Sequence, residues 1–182
     1  MADDTCIYNT QVEPYCTDRT DFTTYTQLLF IDSILEISTE HFSKYANATT
    51  FALVYKYNTD MASILEILNK FTHITRIGFA FHGPVSNYGY QDTPFINNGL
   101  LYTTDDIIEN QTMYSSNVLF IKNVMQLYSD SIQHVDFLAC NTLLYPEWKR
   151  YFALLQQFNN TIIIGASSDD TGNIKFGGDW IM

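Results

Sequence analysis

Two residues that could do nucleophilic chemistry follow two apolar runs that are typical of buried strands. The run 74–81 ends immediately before His82, and the run 135–138 is followed, after one alanine, by Cys140. In an open parallel sheet, ligands and reacting groups collect just beyond the carboxyl ends of the strands. A thiolate at Cys140 could attack a carbonyl while the imidazole of His82 transfers protons. The sequence therefore predicts a Cys–His pair at one edge of a sheet.

Each of these residues also has an ordinary structural interpretation. A cysteine at the end of a strand is most often a small buried hydrophobic residue. A histidine that opens a loop often does no more than donate a hydrogen bond. No histidines or cysteines have the spacing of zinc ligands, and Asp169-Asp170 lacks the alternating acids of a calcium loop and suits a turn. We therefore expect neither a metal nor a cofactor.

The composition indicates a globular, acidic protein. Of the 182 residues, 46% are hydrophobic and 16% are charged, which favours one compact domain over a disordered chain. Twenty acidic residues against nine basic ones give a net charge of −11. That balance argues against a basic stripe for nucleic acid or an anionic membrane surface, so we expect a peptide or protein partner, and charge complementarity favours a basic one.

The sequence shows no run of about 18 consecutive apolar residues, so no membrane insertion is expected. Its first residues lack the positive and apolar regions of a secretory signal. Three cysteines, an odd number, do not make a disulfide framework. These features predict a location in the cytoplasm or within a viral particle.

Strand-like and helix-like segments alternate from about residue 26 onward. Residues 1–25 show no clear period and are expected to form a polar N-terminal arm, with a single α/β domain over 26–182. The alternation predicts a three-layer α/β/α sandwich around a mostly parallel sheet of five or six strands. Strands are expected at 28–31, 51–57, 74–81, 135–138 and 161–164, with a short additional strand possible at 100–102 and an edge strand or a hairpin at 174–182. Helices are expected at 39–47, 60–69, 116–128 and 147–158.

The two strand ends resemble those of the caspase-like (clan CD) cysteine peptidases, in which a His-Gly and an Ala-Cys end neighbouring core strands. The chain is also similar to an uncharacterised domain that opens many large bacterial surface adhesins. This second resemblance covers roughly residues 27–182. The segments that carry it are Phe30-Ile-Asp-Ser33, His82-Gly83, Ala139-Cys140-Asn141, Ala166-Ser-Ser-Asp-Asp-Thr-Gly-Asn173 and Gly177-Gly-Asp-Trp180.

The caspase-like resemblance implies a role for each matching residue. Cys140 would be the nucleophile and His82 the general acid and base. The backbone N–H groups of Gly83 and Cys140 would form the oxyanion hole, because a glycine leaves its amide open to a substrate carbonyl. Asp169 and Asp170 would line a pocket for a basic side chain. The chain departs from the caspase signature at the residues that flank Ala-Cys, which are Leu138 and Asn141.

Two functions follow from these observations. The first is a cysteine peptidase or self-processing domain that uses the Cys140–His82 dyad. The second is a catalytically inactive interaction module within a larger assembly, such as a virion or a surface structure. That module would make its contacts through the N-terminal arm and the Gly-, Pro- and Asn-rich loop at 83–99, because loops of this length in compact domains often carry function.

Overall fold

The computed structural model describes residues 12–14, 22–32, 35, 47–55, 61–81, 116–144 and 146–168. The strands in these ranges are β1 (Val12–Pro14), β2 (Gln27–Asp32), β3 (Thr50–Tyr55), β4 (Arg76–Ala80), β5 (His134–Leu138) and β6 (Ile163–Ala166). The α-helices are α1 (Met61–Leu68), α2 (Ser116–Leu127) and α3 (Pro146–Phe158). Two short 3-10 helices lie at Phe22–Thr24 and Thr142–Leu144. The elements expected at 39–47, 100–102 and 174–182, and the loop at 83–99, lie outside the described residues.

The six strands form one sheet in the order β1-β3-β2-β4-β5-β6. Every neighbouring pair from β3 to β6 is parallel, and β1 lies antiparallel to β3 at the edge. The predicted α/β class with a mostly parallel sheet is confirmed. Among the described helices, none is long and apolar enough to cross a membrane.

The strand order explains on which face each connection lies. The chain passes from β2 to β3 in one direction and then crosses back to β4, β5 and β6 in the other. Right-handed crossovers put connections that run in opposite directions on opposite faces of a parallel sheet. The helices α1, α2 and α3 all belong to connections that run toward β6, and all three pack into one core cluster. Leu35, which belongs to the β2–β3 connection, packs in the separate cluster on the other face.

The face covered by the helices holds most of the core. Alternate strand residues point to it because side chains in a strand alternate between the faces of a sheet. The helix α3 meets this face with a stripe at positions i, i+3, i+4 and i+7, the pattern of an amphipathic helix. Those four buried residues are Trp148, Tyr151, Phe152 and Leu155. The clustered aromatic rings include Phe30 and Phe79, which stack at 5.0 Å, and Phe137, which lies 4.8 Å from Phe152.

The second face of the sheet is also buried, as a three-layer sandwich requires. Ile31, Ala52 and Ala80 on this face are at most 1% exposed. Gly78 lies among them because there is little room for a side chain. A Cβ atom at this position would come within 3.1 Å of Leu29 and 3.2 Å of Leu138. A parallel sheet buried on both faces has near-continuous hydrophobic strands, and β3 and β4 have that pattern.

The N-terminal arm differs from the prediction in its described part. Val12–Pro14, expected to be irregular, pairs with β3 and adds the antiparallel edge strand. A strand of three residues is too short to produce a detectable hydrophobic period. Phe22 and Tyr25, which also fall within the predicted arm, pack against the core, and Tyr25 is fully buried. The packed domain therefore begins before residue 26.

Candidate functional site

The strands β4 and β5 lie side by side in the sheet and end at the same level. They are parallel neighbours, with Ala80 opposite Leu138 in the register. Just past the strands, the N–H of Phe81 donates a hydrogen bond to the carbonyl of Leu138 at 3.4 Å. Since β4 and β5 are hydrogen-bonded neighbours, residues that leave these two strands start from adjacent positions at one edge of the sheet.

Cys140 lies in the tight turn that joins β5 to α3. Ala139, just before it, is fully buried, and its N–H donates a 3.0 Å hydrogen bond to the carbonyl of Phe137. Cys140 itself is half-buried and carries a thiol. Asn141 then has a φ of 59°, the left-handed backbone conformation that asparagine adopts more readily than most residues. The thiol therefore lies at an abrupt change of direction between a buried strand and a helix.

The turn that follows Cys140 is held by the end of β6. The carbonyl of Ser167 accepts a 3.2 Å hydrogen bond from the hydroxyl of Thr142 and a 2.9 Å bond from the N–H of Leu143. Thr142 is fully buried and Ser167 is 1% exposed. Sequence reasoning missed both residues because they are 25 positions apart and each reads as an ordinary loop residue. The structure thus ties the exits from β5 and β6 together.

Aromatic side chains fix the start of α3 relative to the ends of β4 and β5. The rings of Trp148 and Phe81 stack with centroids 5.5 Å apart. Trp148 also lies 5.8 Å from Phe137 on β5 and 5.8 Å from Tyr151 on the next turn of α3. Burial raises the pKa of the Tyr151 hydroxyl well above its ordinary value. This apolar cluster packs the start of α3, which follows the Cys140 turn, against the ends of β4 and β5.

The remaining predicted site residues lie outside the described residues. His82 follows Phe81 directly in the chain, and Gly83 comes next. Asp169 and Asp170 follow Ser168, the last residue described at the end of β6. Cys140 is therefore the one predicted catalytic residue whose surroundings are described. Within the described ranges, no group of three or more histidine, cysteine, aspartate or glutamate residues could hold a metal ion.

Two open grooves are lined by described residues away from Cys140. One, of about 690 Å³, lies between the ends of α2 and α3 and is lined largely by neutral amides. The other, of about 530 Å³, runs along β6 and includes the ion pair between Arg76 and the buried carboxylate of Asp136. The Asp136 hydrogen bond raises the pKa of Arg76. Cys140 lines neither groove among the described residues, and neither groove contains a nucleophile with a base beside it, so Cys140 remains the better candidate for chemistry.

Comparisons with protein-family models, with curated proteins and with solved structures found no match for this chain.

Proposed function

We propose that the protein is a cysteine peptidase or self-processing domain of the caspase-like kind, with Cys140 as the nucleophile and His82 as the general acid and base. The observation that carries the proposal is the position of Cys140. Its half-buried thiol lies in a tight turn directly beyond β5, at the carboxyl edge of a parallel sheet. This is the edge at which open α/β sheets bind ligands and perform chemistry.

The strand register supports the pairing with His82. Ala80 lies opposite Leu138, and the two candidate residues each come two positions after these partners. Neighbouring strands are about 4.8 Å apart, so the segments that contain His82 and Cys140 begin side by side at the ends of β4 and β5. Catalytic groups on loops that leave a rigid sheet are a common arrangement in enzymes.

The proposed reaction has two steps. The Cys140 thiolate attacks a peptide carbonyl, and the N–H groups of Gly83 and Cys140 stabilise the resulting oxyanion. His82 takes the thiol proton and gives it to the leaving amine, so that the C–N bond breaks and an acyl-enzyme forms. Water then releases the acyl group, with His82 accepting its proton. Asp169 and Asp170 would favour a basic residue before the scissile bond.

The experiment that tests the dyad is covalent labelling with peptide probes that carry a thiol-reactive group. Probes with Arg, Lys or Asp before the reactive group are compared on wild type, Cys140→Ala and His82→Ala, and mass spectrometry maps the modified residue. We expect labelling of Cys140 to prefer Arg or Lys and to fall about 100-fold in His82→Ala, since general acid–base catalysis contributes at least that factor. Cys6 and Cys16 provide internal controls for non-specific thiol reactivity.

A different result would favour the second function. If Cys140 reacts no faster than Cys6 and Cys16 and is indifferent to His82, the dyad proposal is wrong. The chain would then act as an interaction module in a larger assembly, in the cytoplasm or within a viral particle. In that case Cys140→Ser should leave assembly intact, whereas deletion of residues 1–11, which precede the edge strand, or of the loop at 83–99 should abolish it.

A further inference from the structure

The strongest unused feature near Cys140 is the double hydrogen bond at Ser167. One carbonyl oxygen accepts both the Thr142 hydroxyl, at 3.2 Å, and the Leu143 N–H, at 2.9 Å. A carbonyl has two lone pairs, so these two donors fill its hydrogen-bonding capacity. Because Thr142 and Ser167 are buried, water cannot readily replace a lost donor, and an unmade bond there is costly.

The Ser167 side of this double hydrogen bond is held in place by β6. Ala166, the last residue of β6, lies opposite Phe137 in the sheet register, and Ser167 follows it directly. On the other side of the bond, Thr142 comes two positions after Cys140, and the intervening Asn141 has the left-handed backbone. With the strand fixed at one end and Thr142 fixed at the other, little freedom is left to the Cys140 backbone.

We propose that Thr142 is a positioning residue. Its hydroxyl holds the turn in the conformation that presents the thiol of Cys140 to the carbonyl or reagent that it attacks. The assignment of that position to peptide cleavage rests on the proposed function, whereas the holding itself does not. Ser167 comes two residues before Asp169 in the chain. The same bond therefore joins the turn of the nucleophile to the segment in which the resemblance puts the substrate pocket.

The chain contains a matched control at the opposite edge of the sheet. There the carbonyl of Thr26 accepts a 3.2 Å bond from the Thr75 hydroxyl and a 2.8 Å bond from the Thr75 N–H. Both sites thus pair a threonine hydroxyl and a backbone N–H with one carbonyl, although Thr75 is half-buried and the Thr26 carbonyl also accepts a 3.4 Å bond from the N–H of Arg76. Thr75→Val removes the same kind of bond as Thr142→Val, but far along the strands from Cys140.

The test compares the rate at which iodoacetamide alkylates Cys140 in wild type, Thr142→Val, Thr142→Ser and Thr75→Val. Rates are measured between about pH 5 and pH 10, the range in which thiols titrate. Urea unfolding of each variant is followed in parallel. We expect Thr142→Val to change the rate of Cys140 alkylation at a given pH by about fivefold, the factor that one net hydrogen bond represents. Thr142→Ser should restore it.

The control separates positioning from stability. Thr75→Val should lower the urea midpoint as Thr142→Val does, yet leave the Cys140 profile unchanged. If Thr142→Val lowers the midpoint and leaves the Cys140 profile at the wild-type value, the hydroxyl is merely structural and the proposal is wrong. Should Thr142→Val fail to fold, Thr142→Ala takes its place, since it removes the hydroxyl without adding bulk.

The two proposals fail in distinguishable ways. Alkylation by iodoacetamide needs neither a peptide nor His82, so it reports on Cys140 even if the protein is not a peptidase. If the peptide probes do label Cys140 as proposed, Thr142→Val should lower the rate of covalent reaction while the concentration for half-maximal labelling stays constant. Loss of binding with an unchanged reaction rate would contradict a positioning role.

Discussion

The described residues at the two edges of the sheet differ in how they join neighbouring strands. At the amino edge, backbone hydrogen bonds join the strand starts in series: Gln27 to Thr49, Thr75 to Thr26, Gln133 to Thr75 and Ile163 to Gln133, all at 2.8 to 3.0 Å. At the carboxyl edge, the described residues make two such links, a 3.4 Å bond from Phe81 to Leu138 and the 2.9 Å bond from Leu143 to Ser167. Backbone hydrogen bonds at the amino edge therefore link the strand starts without a break from β3 to β6.

Polar side chains that are buried or half-buried show a similar difference among the described residues. Near the amino edge, the hydroxyl of Tyr128 donates to the Leu68 carbonyl at 2.6 Å, and that of Ser131 donates to the Ile74 carbonyl at 2.8 Å. In α3, which follows the Cys140 turn, the Trp148 indole N–H and the Tyr151 hydroxyl have no hydrogen-bond partner among the described residues. Within the described ranges, the two hydroxyls near the amino edge have partners, whereas these two groups in α3 do not, and the turn before α3 contains the left-handed backbone of Asn141.

The ion pair near the amino edge offers the largest expected loss of stability. Arg76, the first residue of β4, contacts the Asp136 carboxylate, whose side chain is only 5% exposed. Replacement of Arg76 by Met keeps most of the apolar stem and leaves that carboxylate without its donor. We expect a loss of about 2 kcal/mol in the free energy of unfolding, measured in urea, because hydrogen bonds to charged groups contribute that much.

Arg150→Met is the matched control for the ion pair. Arg150 is exposed on α3 and makes no ion pair with the described residues, so its removal should leave the unfolding free energy within about 0.5 kcal/mol of wild type. Neither arginine variant should alter alkylation of Cys140. A changed rate of Cys140 alkylation in Arg76→Met would show that the amino edge is coupled to the carboxyl edge. It would contradict the view that the two edges behave independently.

Much of the fold was predictable because its helices and central strands carry strong periodic signals. The helix expected at 147–158 is observed at Pro146–Phe158, and the strand expected at 135–138 at His134–Leu138. The last described strand was expected at 161–164 and is observed at Ile163–Ala166. Its apolar run of three isoleucines has no alternation from which a boundary could be read.

The positions of the candidate site residues were predictable only where they follow a strand end. The position of Cys140 at the edge of the sheet could be inferred because the apolar strand before it ends two residues earlier. The bond from Thr142 to Ser167 could not, since it depends on the register between β5 and β6. The left-handed backbone at Asn141 also had no sequence signal beyond an asparagine after a strand.

The backbone at Asn141 gives the next largest effect and tests the strain at the carboxyl edge. Most L-residues disfavour a φ of 59°, so Asn141→Ala should lower the unfolding free energy by about 1.5 kcal/mol. Asn141→Gly should stay close to wild type because glycine adopts this conformation readily. Urea unfolding measures both. An equal loss in the two variants would mean that the contacts of the Asn141 side chain matter and its backbone does not.

The smallest effect is a matched pair of tyrosine substitutions with opposite signs. Tyr151→Phe removes a buried hydroxyl that has no partner among the described residues, so we expect a gain of about 1 kcal/mol in the free energy of unfolding. Tyr128→Phe removes a hydroxyl that bonds to Leu68, so we expect a loss of about 1 kcal/mol. Urea unfolding at neutral pH distinguishes the two outcomes, and a loss in both variants would remove the contrast between the edges.

The pH dependence of the free energy of unfolding gives a second test of the same two tyrosine variants. Burial raises the pKa of both hydroxyls in the folded state above the unfolded value of about 10, so only the unfolded chain ionises readily as the pH rises. As the pH rises above about 10, ionisation of each tyrosine in the unfolded chain lowers the free energy of unfolding, and this loss continues until the folded pKa is reached. Each Phe variant should therefore lose less stability above pH 10 than wild type does. A slope as steep as that of wild type in Tyr151→Phe would show that Tyr151 ionises in the folded protein and is not shielded within the cluster beneath the Cys140 turn.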